Sequence, residues 1–136
     1  MISTMQFALD QPVTARARPT VVLVEDDISL LGAMTFALQA DGFQVLAYTD
    51  GRDLLSAPLR PSVSCLVIDL KLPGVDGLEL IQRLRDRGET APAILITTDP
   101  DERRRREAAA AGVPIVEKPL LDGELRRHID IAVGEA

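Results

Sequence analysis

Residues 65–77 read Cys65-Leu66-Val67-Ile68-Asp69-Leu70-Lys71-Leu72-Pro73-Gly74-Val75-Asp76-Gly77. Cys65 to Asp69 suits a strand buried on both faces and ends on a carboxylate. Pro73, Gly74 and Gly77 then break the pattern before the next helical period begins. An acid is thereby placed at the carboxyl end of a strand. In an open α/β sheet that rim is where ligands bind, so Asp69 is exposed to chemistry while the core holds its backbone.

The same alternation runs outward in both directions. Upstream, Thr20 to Val24 is a β-branched run that turns abruptly into Glu25, Asp26 and Asp27. A helical stripe of Ile28, Leu31, Thr35 and Leu38, with Leu30, Met34 and Ala37 beside it, follows as far as Gly42, and Asp27 is its expected cap. Phe43 to Tyr48 reads as a second strand and Asp50 to Ala57 as a short helix, with Pro58 and Pro61 in the loop to the Asp69 strand. Downstream, Leu78, Ile81 and Leu84 mark a helix closed by Gly88, and Ala93 to Thr97 is a fourth strand. Asp99 is expected to cap the next helix, with Pro100 as its first residue and Glu102 as the return arm of a capping box. Gly112 closes that helix. Pro114 to Glu117 is a fifth strand, Lys118 and Pro119 a turn, and Asp122 the cap of a last helix built on Leu125, Ile129, Ala132 and Val133. Five strands alternating with five helices require a parallel sheet covered on both faces. Met1 to Pro19 has no sustained period and reads as a loosely ordered leader, giving a leader over 1–19 and one α/β domain over 20–134.

Composition narrows the function. With 136 residues and 46% hydrophobic content the chain supports one domain with a real core. A net charge of −6 argues against nucleic-acid binding through the overall field. Cys65 is the single cysteine, so neither a disulfide framework nor a thiolate metal site is expected. No apolar run has the length of a membrane span, and Met1 to Leu9 lacks the basic start of a signal peptide, so the cytoplasm is the expected compartment.

In a parallel sheet all carboxyl ends share one rim, which brings Glu25, Asp26, Asp69, Thr97 and Lys118 within reach of one another. Three carboxylates in one small site repel unless a cation neutralises them, and hard oxygen ligands suit magnesium. An ammonium and a hydroxyl beside them suit a phosphoryl group, with Asp69 as its nucleophilic acceptor. Taken singly, each of these residues also fits a helix cap, a strand hydroxyl or a surface lysine; their ordered occurrence at the strand ends is what points to a site.

With those positions in place, the stretch from Thr20 to Val133 resembles a receiver domain of the two-component response regulators, of the single-domain type. The resemblance implies a flavodoxin-like doubly wound (βα)5 fold with strand order 2-1-3-4-5 and a cis bond between Lys118 and Pro119. It implies that Glu25 and Asp26 hold Mg2+ together with Asp69 and the backbone carbonyl of Lys71. Asp69 would be the phosphorylated residue, Thr97 the switch hydroxyl and Lys118 the phosphate-pairing lysine. The phosphodonor would be a sensor histidine kinase or a histidine phosphotransfer protein. Output would be by protein contact, with a downstream protein target possible, by acting as a phosphate sink, or through a domain absent from this chain; dimerisation stays open, and direct DNA or membrane binding by this chain is not expected. On this reading the chain is a signalling domain whose only chemistry is its own phosphorylation and dephosphorylation.

One departure is plain: Ile115 stands where the family usually has Tyr or Phe, and the stretch from Gly112 to Lys118 is about a residue short. Lys71 and Asp99 lie two residues beyond Asp69 and Thr97, at places that border the path of attacking water in this family, and a pairing between them across the site mouth would shield the acyl phosphate. Two other classes stay open at this point. A pseudo-receiver that only binds a partner is compatible with Ile115, and a magnesium phosphohydrolase would want an acid where Lys71 stands. His128 adjoins the last helix's apolar stripe and reads as a packing or surface residue. Arg103 to Arg106 cannot share one helix face, so at least one must lay its stem toward the sheet.

Overall fold

The computed structural model describes residues 18–58, 62–120 and 123–134. Its strands are β1 (Thr20–Val24), β2 (Gln44–Tyr48), β3 (Val63–Asp69), β4 (Ala93–Thr97) and β5 (Ile115–Glu117). The helices between and after them are α1 (Ile28–Ala40), α2 (Gly51–Ser56), α3 (Gly77–Asp86), α4 (Glu102–Ala110) and α5 (Glu124–Gly134). All pairings are parallel and the sheet order is β2-β1-β3-β4-β5. The continuous apolar runs of β1 and β4 reflect this position, since every residue of both strands is buried.

Because strand side chains alternate, the sheet builds two cores. Val22, Val24, Leu66 and Ile68 face Leu54 of α2, Leu80, Ile81 and Leu84 of α3, and Ala108 of α4. Val21, Leu23, Cys65 and Val67 face Leu31, Met34 and Leu38 of α1 together with Ile129 and Ala132 of α5. Leu80 and Ile129 are fully buried, each contributing about 1.5–3 kcal/mol over an exposed placement. Arg87 at the end of α3 donates to the carbonyls of Leu55 (2.6 Å) and Ala57 (2.9 Å), satisfying the end of α2. The bond between Lys118 and Pro119 is cis, as the resemblance implied.

Three details depart from the sequence expectations. In α1 the row turned to the sheet is Leu31, Met34 and Leu38, whereas Ile28, assigned to the stripe, and Ala37, placed beside it, are exposed. A helix without a single charged residue from Ile28 to Ala40 has no polar face to fix its phase, so periodicity alone cannot say which apolar row goes in. In α4 the cap is Asp101 and not Asp99: Asp101 Oδ1 accepts from the Arg104 backbone N–H at 2.8 Å, and the helix begins at Glu102. Pro100 is buried ahead of the helix instead of opening it, which leaves Asp101 as the carboxylate in reach of the first-turn N–H groups. Glu102 is then the first helical residue and not the return arm. The third concerns bounds: β2 begins at Gln44 after a buried Phe43, and β3 begins at Val63. Asp27 does cap α1, accepting from Leu30 N–H at 3.1 Å. Asp122, expected to cap α5, lies outside the described residues, as does most of the leader.

Candidate functional site

The strand register places the five rim residues. Asp69 is the last residue of β3 and pairs with Ile96, so Thr97 closes β4 one step further along. Thr97 in turn pairs with Glu117, and its carbonyl accepts from Lys118 N–H at 2.8 Å, carrying the ladder past the end of β5. Val24 pairs with both Tyr48 and Ile68, and Glu25 N–H continues to the Tyr48 carbonyl at 3.0 Å. The backbones at this rim are therefore fixed by sheet hydrogen bonds before any side chain is considered.

Lys118 joins the two buried acids. Its Nζ lies 2.8 Å from Glu25 Oε1 and 3.2 Å from Asp69 Oδ2. Glu25 is 1% exposed and Asp69 is 4% exposed, so neither carboxylate could remain charged at low cost without that ammonium. Burial works against the charge on Lys118, but the Glu25 and Asp69 carboxylates outweigh it and hold the lysine above its ordinary pKa. The remaining oxygens are oriented by backbone: Asp69 Oδ1 accepts from Lys71 N–H at 3.1 Å, and Glu25 Oε2 from Asp27 N–H at 3.0 Å.

Asp26 is different. It is exposed, and among the described residues its carboxylate makes no hydrogen bond or ion pair. One oxygen each from Glu25, Asp26 and Asp69 lie within 4.8 Å of one another. Three formal negative charges converge on one ammonium, all the donors are hard oxygens, and one carboxylate is still open. That donor set suits a small divalent cation.

Thr97 is fully buried, and its Oγ1 finds no partner among the described residues. A buried hydroxyl left unbonded costs about 1–3 kcal/mol, so this residue sits where a further oxygen would repay it. Lys71 has an exposed side chain, and no ion pair joins it to Asp99, which is also exposed. A bridge between them across the mouth is therefore absent among the described residues.

Gly77 is the contributor that sequence reasoning placed only in a loop. It opens α3, and its N–H donates to the Leu70 carbonyl at 2.8 Å. A Cβ on it would lie 2.5 Å from the Asp69 carbonyl oxygen and 2.8 Å from Leu70 Cα. The helix can therefore pack this close to the Asp69 strand end only without a side chain at that position. A glycine directly after the capping Asp76 was the available signal.

Two ion pairs tie α4 to its neighbours. Arg104 reaches Asp76 Oδ2 at 3.1 Å while Asp76 Oδ1 caps α3, and Arg105 reaches Glu117 at 2.5 Å. Arg104, whose side chain is 17% exposed, is the arginine of the run that lays its stem inward. Ile115, on β5, is half-buried against the core that α3 and α4 share. His128 is half-exposed on α5, 3.7 Å from Glu124.

Comparison with known proteins agrees with this architecture. The family model described as the response regulator receiver domain matches residues 21–130. The transcriptional regulatory protein FixJ of Bradyrhizobium diazoefficiens is 31% identical over 85% of this chain and 57% of its own length. Nodulation protein W of the same organism is 34% identical over 82% of this chain and 49% of its own. The chain thus spans about half the length of these curated relatives. Among solved structures, that of FixJ-N superposes with a TM-score of 0.75 at 30% identity, covering 87% of this chain and 95% of that one. A match that runs from the second residue of β1 through β5 and takes in all five rim residues leaves one assignment: the chain belongs to the response regulator receiver domain family.

Proposed function

We propose that Asp69 accepts a phosphoryl group from the phosphohistidine of a sensor kinase or histidine phosphotransfer protein, and that the chain then signals through protein contact. The observation that carries this reading is the unpartnered, fully buried Thr97 hydroxyl on the rim where Lys118 holds Asp69 and Glu25. Such a rim lacks one oxygen-bearing group, and a phosphoryl group supplies three.

In the transfer, an Asp69 carboxylate oxygen attacks phosphorus in line as the phosphorus–nitrogen bond to the donor imidazole breaks. The imidazole leaves with the bonding electron pair and takes up a proton from water. The backbone N–H of Lys71 keeps the other Asp69 oxygen in place. Lys118 and Thr97 would then bind phosphoryl oxygens, the ammonium exchanging part of its contact with Asp69 for the new charge. Magnesium, held by Glu25, Asp26, Asp69 and the Lys71 carbonyl, would neutralise the converging carboxylates and the incoming phosphoryl group. Water attack on the acyl phosphate later returns the carboxylate and releases inorganic phosphate. The reading places the chain in the cytoplasm with its donor. No helix among the described residues is long and apolar enough to cross a membrane.

Amide NMR spectra recorded during titration with magnesium and then with beryllofluoride, a phosphoryl mimic, test the proposal. Shifts centred on Asp69, Thr97 and Lys118 that vanish in Asp69→Asn are expected. Unchanged spectra with both additions would remove the support for an acceptor site.

A further inference from the structure

The two edges of the sheet are not alike. β5 is three residues long, follows Pro114 and runs at once into Lys118 and Pro119, with Glu117 charged and tied to Arg105. Short length, proline and charge are the usual protection of an edge against further pairing. β2 has no such protection. Gln44-Val45-Leu46-Ala47-Tyr48 carries no charge and no proline, and its register with β1 is unbroken. The pairing with β1 also fixes which backbone groups remain. Gln44 N–H donates to the Pro19 carbonyl and Glu25 N–H to the Tyr48 carbonyl, so Gln44, Leu46 and Tyr48 turn their N–H and C=O groups toward β1. Val45 and Ala47 turn theirs outward, and among the described residues no strand lies beyond them. Ala47 is exposed, and Val45, Leu46 and Tyr48 are only half-buried although they pack on the two cores.

That spacing is self-complementary. A second copy turned about a twofold axis at Leu46, perpendicular to the sheet, runs antiparallel and sets Val45 of each copy against Ala47 of the other. Each strand presents two N–H and two C=O groups, from Val45 and Ala47, so the two strands close four hydrogen bonds with none left over. Leu46 then faces its own counterpart in the non-hydrogen-bonded position, where side chains come closest and each covers the other. Charge at the strand ends agrees with this register. It brings the Gly42 end of one copy beside the Asp50 end of the other. Arg18 Nε donates to the Gly42 carbonyl at 3.2 Å, and Arg18 meets no carboxylate among the described residues. Asp50 caps α2 through Oδ1, and the cation at its other oxygen is Arg52, whose side chain is 69% exposed. Arg18 and Asp50 therefore meet twice, once at each end of the joined strands.

We propose that β2 is an interface for a second copy of this chain, paired antiparallel about Leu46 so that the two five-stranded sheets become one. The strands of the two copies then run in opposite directions, so the acidic rims lie at opposite ends of the joined sheet and each stays open. The pairing does not depend on the phosphoacceptor reading.

Sedimentation equilibrium of the full chain, up to about 1 mM, tests it with Ala47→Pro and Arg18→Glu. Proline at position 47 removes an N–H that points away from β1, which an edge strand tolerates within its own sheet. Wild type is expected to move from 14.7 kDa toward twice that mass as concentration rises. Loss of one hydrogen bond from each copy raises the dissociation constant of Ala47→Pro about thirtyfold. Reversing the exposed charge in Arg18→Glu raises it about fivefold and decides the matter if Ala47→Pro fails to fold. Hydrogen exchange on wild type should slow at the Val45 and Ala47 amides as the dimer fills. A chain that stays at 14.7 kDa throughout, or a dimer that folded Ala47→Pro leaves unchanged, overturns the proposal. Full protection of both amides already in the monomer would mean that another segment of the same chain covers the edge, which overturns it too.

Discussion

Replacing Gly77 by alanine perturbs the site without touching any of its charged groups. The added Cβ would sit 2.5 Å from the Asp69 carbonyl oxygen, where ordinary contact begins near 3.4 Å, so something must move by about 0.9 Å. Two of its three close neighbours are backbone atoms of Asp69 and Leu70, and the third is a side-chain carbon of the fully buried Leu95. None of these can swing aside as a flexible side-chain end would. Overpacking of this kind costs about 1–3 kcal/mol, and contact with backbone on two sides puts Gly77→Ala toward the upper figure. For a domain of this size that lowers Tm by about 10 °C. Gly51→Ala is the control, because its Cβ would meet only Leu80 side-chain carbons, the nearest at 3.2 Å, and a shift of a few tenths of an ångström relieves it. Thermal melts followed by circular dichroism, with phosphoryl uptake measured on the same samples, decide the matter. Gly77→Ala is expected to lose stability and uptake together, since any relief displaces the Asp69 backbone or the start of α3. Equal Tm values for the two variants would refute the close-packing argument.

Thr97→Val keeps the shape of the side chain and replaces a buried, unbonded hydroxyl by a methyl group, so urea melts should show a gain of about 1 kcal/mol while phosphoryl uptake falls. A loss of stability would mean the hydroxyl has a partner in the resting protein. Asp101→Ala should cost about 1 kcal/mol and Asp99→Ala less than about 0.5 kcal/mol, because only Asp101 caps α4; the reverse order would restore the sequence-based assignment. Burial pushes the Cys65 thiol up to about 12 from the ordinary value of 9.0. The unfolded chain therefore sheds this proton first, and stability falls as pH rises above about 9. Between pH 8 and pH 10 the stability difference between wild type and Cys65→Ala should narrow by about 1.4 kcal/mol. A constant difference would mean the thiol titrates alike in both states.

The fold was legible because each layer of the sequence agreed with the next. Continuous apolar runs marked strands buried on both faces, each was followed by a helical period, and glycines such as Gly42, Gly88 and Gly112 closed the helices at positive φ. The rim residues were legible for the same reason: a parallel sheet sends every strand end to one edge. Where two neighbouring residues offer the same chemistry, pattern reading has no basis for choice. Asp99 and Asp101 are both competent caps, and the burial of Pro100 decides between them. The inward row of α1 was illegible because its apolar residues surround the helix. Lys71 and Asp99 were placed correctly as rim neighbours in sequence, but pairing depends on side-chain direction, which spacing does not encode. The close approach at Gly77 likewise depends on how α3 leans on β3, a tertiary fact.

Phosphorylation on Asp69 is the claim on which the rest depends, and intact mass tests it most directly. Wild type, Asp69→Asn and Lys118→Ala would each be incubated with acetyl phosphate, with magnesium and again with a chelator. The mass of one phosphoryl group is expected on wild type with magnesium only, none on Asp69→Asn, and a reduced fraction on Lys118→Ala. A gain on Asp69→Asn equal to that of wild type would place the phosphoryl group on another residue, and no gain on wild type from either acetyl phosphate or a phosphohistidine donor would contradict the acceptor assignment outright.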